Sequence, residues 1–287
     1  MVSGSCARCA ASATIVRDRH APPVRMPTED AMPVHYVSVE EAKQCDGLRM
    51  VVVGGVPSLW GEAAKGILHV KAIGWSAVRL AYDDEAQKKW TGQRSGPVAF
   101  HDGEKPRSGW ADILLLAERL APQPALLPAD ADARQQVLEI SRGICARGGL
   151  GWMRRLQLVQ ASFRNEGGFP ERVAKYLAAK YGYEADAADS YSSRVAEMLG
   201  GLSKRLHAQR VAGSHYYVGG SVTAADIYSA CLMAMFRPLP APQCTMNEST
   251  RQAFELVDAV TEEALDPILF EHRDWMYAQH LELPLSL

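Results

Sequence analysis

Two apolar runs flanking one helical stretch constrain the fold most. LRMVVV, residues 48–53, is a buried-strand pattern. After Ser58 the chain reads as a helix, with Trp60, Ala64, Ile67, Leu68 and Lys71 on one face. Its apolar members follow the i, i+4, i+7, i+8 spacing of an amphipathic helix. Gly74 ends it, and WSAVRLAY, residues 75–82, alternates as a second strand. Strand, helix and strand of these lengths form a βαβ unit with parallel strands. Upstream, VHYVSVEEAKQC gives a short strand. Ser38 with Glu41 three residues later is then the spacing of a capping box opening a short helix.

Asp83 to Ser95 is polar and poorly patterned. In GPVAFHDGEKPR, His-Asp-Gly between two extended runs signals a hairpin. GWADILLLAERLA then reads as a helix with Trp110, Ile113, Leu114 and Ala117 on its face. The order βαβ, connector, ββα is that of a thioredoxin-like α/β domain. Pro122, Pro124 and Pro128 mark a linker, and everything beyond is helical in pattern. Helices are expected from about Ala131 towards Phe163, with Gly148, Gly149 and Gly151 as the point of interruption, from Glu171 to Tyr181, and from about Ala187 to Gln209. YYVGGSVTAADIYSACLMAMF caps and starts an almost wholly apolar helix, the expected core of an all-α domain. Two more helices should follow, one from about Glu248 and one from Pro267 to His280. The domains expected are an extension over 1–31, a thioredoxin-like domain over 32–121, a linker over 122–130 and an all-helical domain over 131–287.

Composition narrows the function classes. A chain of 287 residues favours two domains over one. A net charge of −2 offers no basic footprint for nucleic acid. The longest apolar run, Ile227 to Phe236, falls short of the roughly 20 residues that span a membrane. A soluble, cytoplasmic protein is the expectation. Cys6 and Cys9 form a lone C-x-x-C pair. With no second pair and no strand before it, the pair reads as tail rather than as a zinc or redox site. His69, His101, His207 and His215 lack ligand spacing, and no metal is expected. The first ~31 residues differ from the rest, with Arg8, Arg17, Arg19 and Arg25 against Asp18 alone before Glu29. A transit peptide, a disordered extension, or a true start at Met26 or Met32 all fit that bias.

YVGGSVTAADIYSA is the most specific stretch. Thr223 can cap the helix, and Asp226, three residues on, can bond back to the cap's backbone N–H. Aromatic-Val-Gly-Gly followed by Thr-x-Ala-Asp-Ile, in an all-helical region behind a thioredoxin-like one, resembles the glutathione transferase superfamily. PSLWGEAAKGILHVK and GWADILLLAERLAP resemble a bacterial branch of glutathione transferase-like proteins of unassigned substrate. The resemblance covers roughly Arg49 to Phe236. It implies a cytosolic homodimer that binds glutathione on the first domain and an apolar electrophile against the helices of the second.

The resemblance also implies site residues. Glutathione chemistry needs a thiolate, and in serine-type members a serine just after the first strand donates to the sulfur; Ser58 matches that position. The alternative for Ser58 is a plain helix cap. No cysteine lies nearby to act as the nucleophile instead. Trp60 would wall the site, or belong to the core. Pro97 matches the family's cis-proline, and Gly96 before it would pair its backbone with the glutathione peptide. The family's acid followed by Ser or Thr, which hold the γ-glutamyl end at a helix N-terminus, aligns with Gly109 and Trp110. A shift of two residues brings Arg107 and Ser108, so Ser108 is the substitute candidate, with no acid beside it. On the first long helix of the second domain, Trp152, Arg154 and Arg155 are pocket candidates, an arginine being suited to a glycyl carboxylate. Three functions follow. The first is a glutathione transferase-like enzyme acting on a small apolar electrophile. The second is a non-catalytic binding or scaffold protein on the same fold, favoured by the missing acid–Ser pair. The third is a glutathione-dependent lyase or dehalogenase. VVVGG is not a phosphate loop, and no Ser–His–acid order supports a hydrolase.

Overall fold

The computed structural model describes Val34 and residues 36–287. The expected N-terminal extension, with Cys6, Cys9, Met26 and Met32, lies outside the described residues.

Helix α1 (Val39–Gln44) opens on the expected box: Glu41 N donates to Ser38 Oγ at 3.1 Å, and Ser38 N to Glu41 Oε2 at 2.8 Å. Strand β1 (Leu48–Val52), helix α2 (Leu59–Val70) and strand β2 (Trp75–Arg79) form the βαβ unit, with β1 and β2 parallel in the register Leu48 to Trp75. Strand β3 (Val98–His101) pairs antiparallel on the other side of β1, giving the order β2-β1-β3. Both faces of this sheet are covered, so β1 is apolar throughout except for Arg49. Leu48, Met50 and Val52 face α2 and helix α4 (Trp110–Leu120). Val51 joins Val78, Val98 and Phe100 on the opposite face with Val39 and Ala42 of α1.

Three local expectations change, the first being the short strand before α1, which is a single parallel bridge between Tyr36 and Ala77. The second arm of the hairpin is a single bridge, in which Ala99 and Arg107 exchange hydrogen bonds at 2.8 and 2.9 Å. Pro106 has no N–H to extend that ladder. The segment Asp83 to Ser95 contains helix α3 (Glu85–Thr91). Asp84 accepts from Gln87 N at 3.0 Å, and the Gln87 amide donates to Arg79 O at 2.9 Å. Trp90 stacks on Phe100, ring centroids 4.2 Å apart, and carries the helix onto the sheet.

The second half is helical: α5 (Ala131–Cys145), α6 (Leu150–Phe163), α7 (Glu171–Tyr181), a 3₁₀ turn (Ala185–Ser190), α8 (Tyr191–Val211), α9 (Ala224–Leu232), α10 (Glu248–Glu255), α11 (Ala259–Ala264) and α12 (Pro267–Gln279). The break between α5 and α6 falls at the expected glycines, with Gly148 at φ 80°. α11 is additional to the expected pair of C-terminal helices. Every residue of α9 is buried. Thr223 N donates to Asp226 Oδ2 at 2.8 Å, which completes the capping box. No described helix is long and apolar enough to cross a membrane.

One apolar core runs from α2 and α4 through α5, α6, α9 and α12. Gly151 permits the approach of α6 to α2, since a Cβ there would stand 2.4 Å from Leu59 Cδ2. The linker is pinned by Lys71, whose Nζ donates to Ala121 O at 2.6 Å and Pro124 O at 2.9 Å and pairs with Glu118 at 2.7 Å. Lys71→Met is expected to lower the unfolding free energy by about 2–3 kcal/mol, because it strands a carboxylate and two carbonyls together. Urea unfolding measures this, and a loss under about 0.5 kcal/mol would mean the linker is held by other contacts.

Candidate functional site

The turn after β1 supplies one wall of a cleft. Ser58 stands at the N-cap position of α2 in extended backbone, φ −74° and ψ 119°, and its side chain makes no capping bond. Its backbone anchors it: N donates to Val56 O, and O accepts from Glu62 N, both at 2.8 Å. The residue is buried and lines a cleft of about 340 Å³, which also holds Val53, Val56, Trp60 and Gly96 from the sheet half. That volume suits a small ligand. The Gly96–Pro97 peptide is cis, and a Cβ on Gly96 would stand 3.0 Å from Val51 O. A side chain there would make the loop or β1 give by a few tenths of an ångström.

The opposite wall is helical and aromatic, with Phe169, Tyr176 and Tyr181 at or beside α7 and Phe254 on α10. Arg155 enters from α6 and is 8% exposed. Its guanidinium lies 4.8 Å from the Phe254 ring centroid and 5.7 Å from that of Phe169. Burial pulls its pKa below the usual arginine value. The ammonium of Lys180, at the rim over the Tyr176 and Tyr181 rings, is brought down to about 8, first by loss of solvation there and then by the charge of Arg155. Burial pushes the phenols of Tyr82 and Tyr181 upward. No cysteine lines the cleft. Cys145 and Cys231 are buried elsewhere, and burial holds the Cys231 thiol up at about 12, far from a reactive thiolate. Among the described residues, no group of three or more His, Cys, Asp or Glu is placed to hold a metal.

No family model matches the chain, and no curated protein matches it. Solved structures do. A glutathione S-transferase of Methylobacterium radiotolerans, solved with glutathione sulfonate, superposes with a TM-score of 0.55 at 16% identity, over 80% of this chain and 90% of that one. A glutathione transferase family member of Pseudomonas fluorescens, solved with two glutathione bound, gives 0.55 at 16% identity over 82% and 89%. A glutathione S-transferase of Methylobacillus flagellatus with glutathione bound gives 0.53 at 15% over 80% and 94%. This chain has the glutathione transferase fold. The thioredoxin-like sheet followed by an all-α region is the architecture expected from the sequence.

Within that fold, the cleft gathers Ser58, Trp60, Gly96 and Arg155 out of the residues the sequence singled out. Trp60 lines the cleft, and its Nε1 donates to Cys145 O at 2.9 Å across to α5. The remaining candidates lie elsewhere. Arg154 is 1% exposed and is spent on the helical interior, with Nε on Met235 O at 3.0 Å and Nη2 on Phe254 O and Leu256 O at 2.9 and 2.6 Å. It borders a different groove, of about 390 Å³, on the far side of α6. Neighbours on a helix diverge by about 100°, so Arg154 and Arg155 cannot share one pocket wall. Trp152 stands behind Tyr181, donating to its carbonyl at 2.8 Å with ring centroids 4.6 Å apart. Trp110 packs edge-on against Tyr228, whose hydroxyl donates to Trp110 O at 3.0 Å. Ser108 is exposed and outside the cleft lining.

The start of α4 holds one acid that the alignment does not place there. Asp112 folds back so that its Oδ2 lies 2.7 Å from where a Cβ on Gly109 would stand. The sequence reading also passed over Tyr82, Phe169, Tyr176, Lys180 and Phe254. Only EGGFP, read as a helix break, hinted at Phe169.

Proposed function

We propose that the chain is a glutathione transferase-like enzyme that adds the glutathione thiolate to a small apolar electrophile, or displaces a leaving group with it. Ser58 Oγ donates to the sulfur, and the N-terminus of α2 adds a partial positive charge beside it. Together they bring a thiol with an ordinary pKa of about 8.5 into the range where it ionises at neutral pH. Gly96 pairs its backbone with the peptide next to Pro97, and Ser108, exposed and outside the cleft lining, is the candidate for the γ-glutamyl end. The glutathione-binding domain is 32–121, joined through 122–130 to the helical domain 131–287. The protein works in the cytoplasm as a homodimer. The observation that carries this reading is the Ser58 hydroxyl, unused as a cap and lining the same cleft as Gly96. Neighbours of the same fold solved with glutathione add support.

A binding or scaffold role is favoured by one observation: neither Ser108 nor the start of α4 lines the cleft. Immobilised glutathione separates the readings at the first step. The enzyme reading expects retention of the full chain and a rise in melting temperature at millimolar glutathione. Absence of both would leave the scaffold reading.

A further inference from the structure

The charge in the cleft is one-sided. Arg155 and Lys180 line it, and no carboxylate does. Elsewhere the buried cations are answered within the protein. Arg154 is held by three carbonyls and the Gln157 amide oxygen, and Lys71 by two carbonyls and Glu118. Arg155 differs. It is 8% exposed, its Nε has no hydrogen-bond partner, and the groups acting on its charge are the phenols of Tyr181, which also hydrogen-bonds it, and of Tyr82, with no acid among them. A desolvated guanidinium that has a phenol and no acid for partner suits a carboxylate. Around it the surface is aromatic: Trp60 and Tyr181, tilted with centroids 5.9 Å apart, then Phe169 and Phe254, edge to face with centroids 6.2 Å apart.

We infer that the cleft takes an aromatic or flat apolar acceptor that carries a carboxylate, received by Arg155 with Lys180 at the rim. The inference rests on the transferase reading only in naming this ligand as the acceptor; the binding itself needs no thiol. A carboxylate has two sources here, the acceptor and the glycyl end of glutathione. Arg155 and Lys180 stand on α6 and α7 among the aromatic rings, the wall suited to an aromatic body, so the acceptor is the assignment.

An isosteric pair of unreactive probes tests it: 2-naphthoate and 2-naphthamide, titrated calorimetrically into the full chain with and without saturating glutathione. The acid is expected to bind at least 10-fold more tightly than the amide, and the preference should persist with glutathione present. Arg155→Gln should bring the ratio close to one. Should that variant fail to fold, Lys180→Gln at the exposed rim should still reduce the ratio about threefold. The acid's affinity should also fall as pH rises through about 8, where Lys180 loses its proton, while the amide's stays level. Arg155 stays charged over that range, and the phenols of Tyr82, Tyr176 and Tyr181, raised by burial, stay neutral. Equal binding of acid and amide, or binding of neither, overturns the inference. Displacement of naphthoate by glutathione overturns it too, by giving the fork to the glycyl carboxylate. An acid preference in a chain that ignores glutathione keeps the carboxylate site and removes the transferase reading alone.

Discussion

Replacing Asp226 with alanine is expected to lower the unfolding free energy by about 3–5 kcal/mol, the largest effect on stability of any single change considered. Its side chain is fully buried, receives three donors and has a histidine nitrogen beside it. Tyr217 N reaches Oδ1 at 2.8 Å, Thr223 N and Oγ1 reach Oδ2 at 2.8 and 2.7 Å, and His272 Nε2 stands 3.2 Å from Oδ1. Alanine leaves them all where water cannot follow, at the start of a helix with every residue buried. Asp226→Asn keeps the shape but turns an amide NH₂ towards backbone N–H groups, so it should recover little. Asp132→Ala, at an exposed position in the first turn of α5, should stay within about 0.5 kcal/mol. Urea denaturation of the three variants checks the ordering. A loss under about 1 kcal/mol for Asp226→Ala would mean that the cap is dispensable and that TAADI marks the fold without supporting it.

The fold was legible wherever a local pattern and its packing agree. β1 is apolar because both faces of the sheet are covered, and the parallel partner follows from the crossover. α9 announced itself through a capping box ahead of an unbroken apolar run. Short elements were not legible. α3 has seven residues, with Trp90 as its apolar contact to the sheet, so periodicity had nothing to register. Its signal was Asp84 with Gln87 three residues later, the same grammar that was read correctly at Ser38 and Glu41. α11 has six residues and the same kind of start, with Asp258 accepting from Thr261 N at 2.8 Å.

The cleft divides along similar lines. Ser58 and Gly96 could be placed at the cleft because the family resemblance ties them to the end of β1 and the start of β3. The helical wall could not, since it is assembled from α6, α7 and α10, up to about a hundred residues apart, and depends on helix rotation. Arg154 and Arg155 make the point: adjacent in sequence, one is consumed by the interior and the other faces the cleft. At α4 the alignment alone gave glycine and tryptophan, whereas the backbone brings Asp112 to the same corner.

Ser58→Ala is expected to lower kcat/KM for glutathione conjugation roughly 10- to 150-fold, the worth of one hydrogen bond to a charged atom. Stability should change by under about 0.5 kcal/mol, because the hydroxyl makes no cap bond to lose. The two readouts therefore move apart, whereas a serine that only capped the helix would lose stability alone. The pH profile adds a third. Donation to the thiolate holds the pKa of bound glutathione below its free value of about 8.5, so removing the donor raises that pKa. Activity lost at pH 7 should then return in part above about pH 8.5, while the wild-type profile stays flat there. An unchanged profile with lowered stability would assign Ser58 to helix punctuation. An unchanged activity would take the serine out of the reaction.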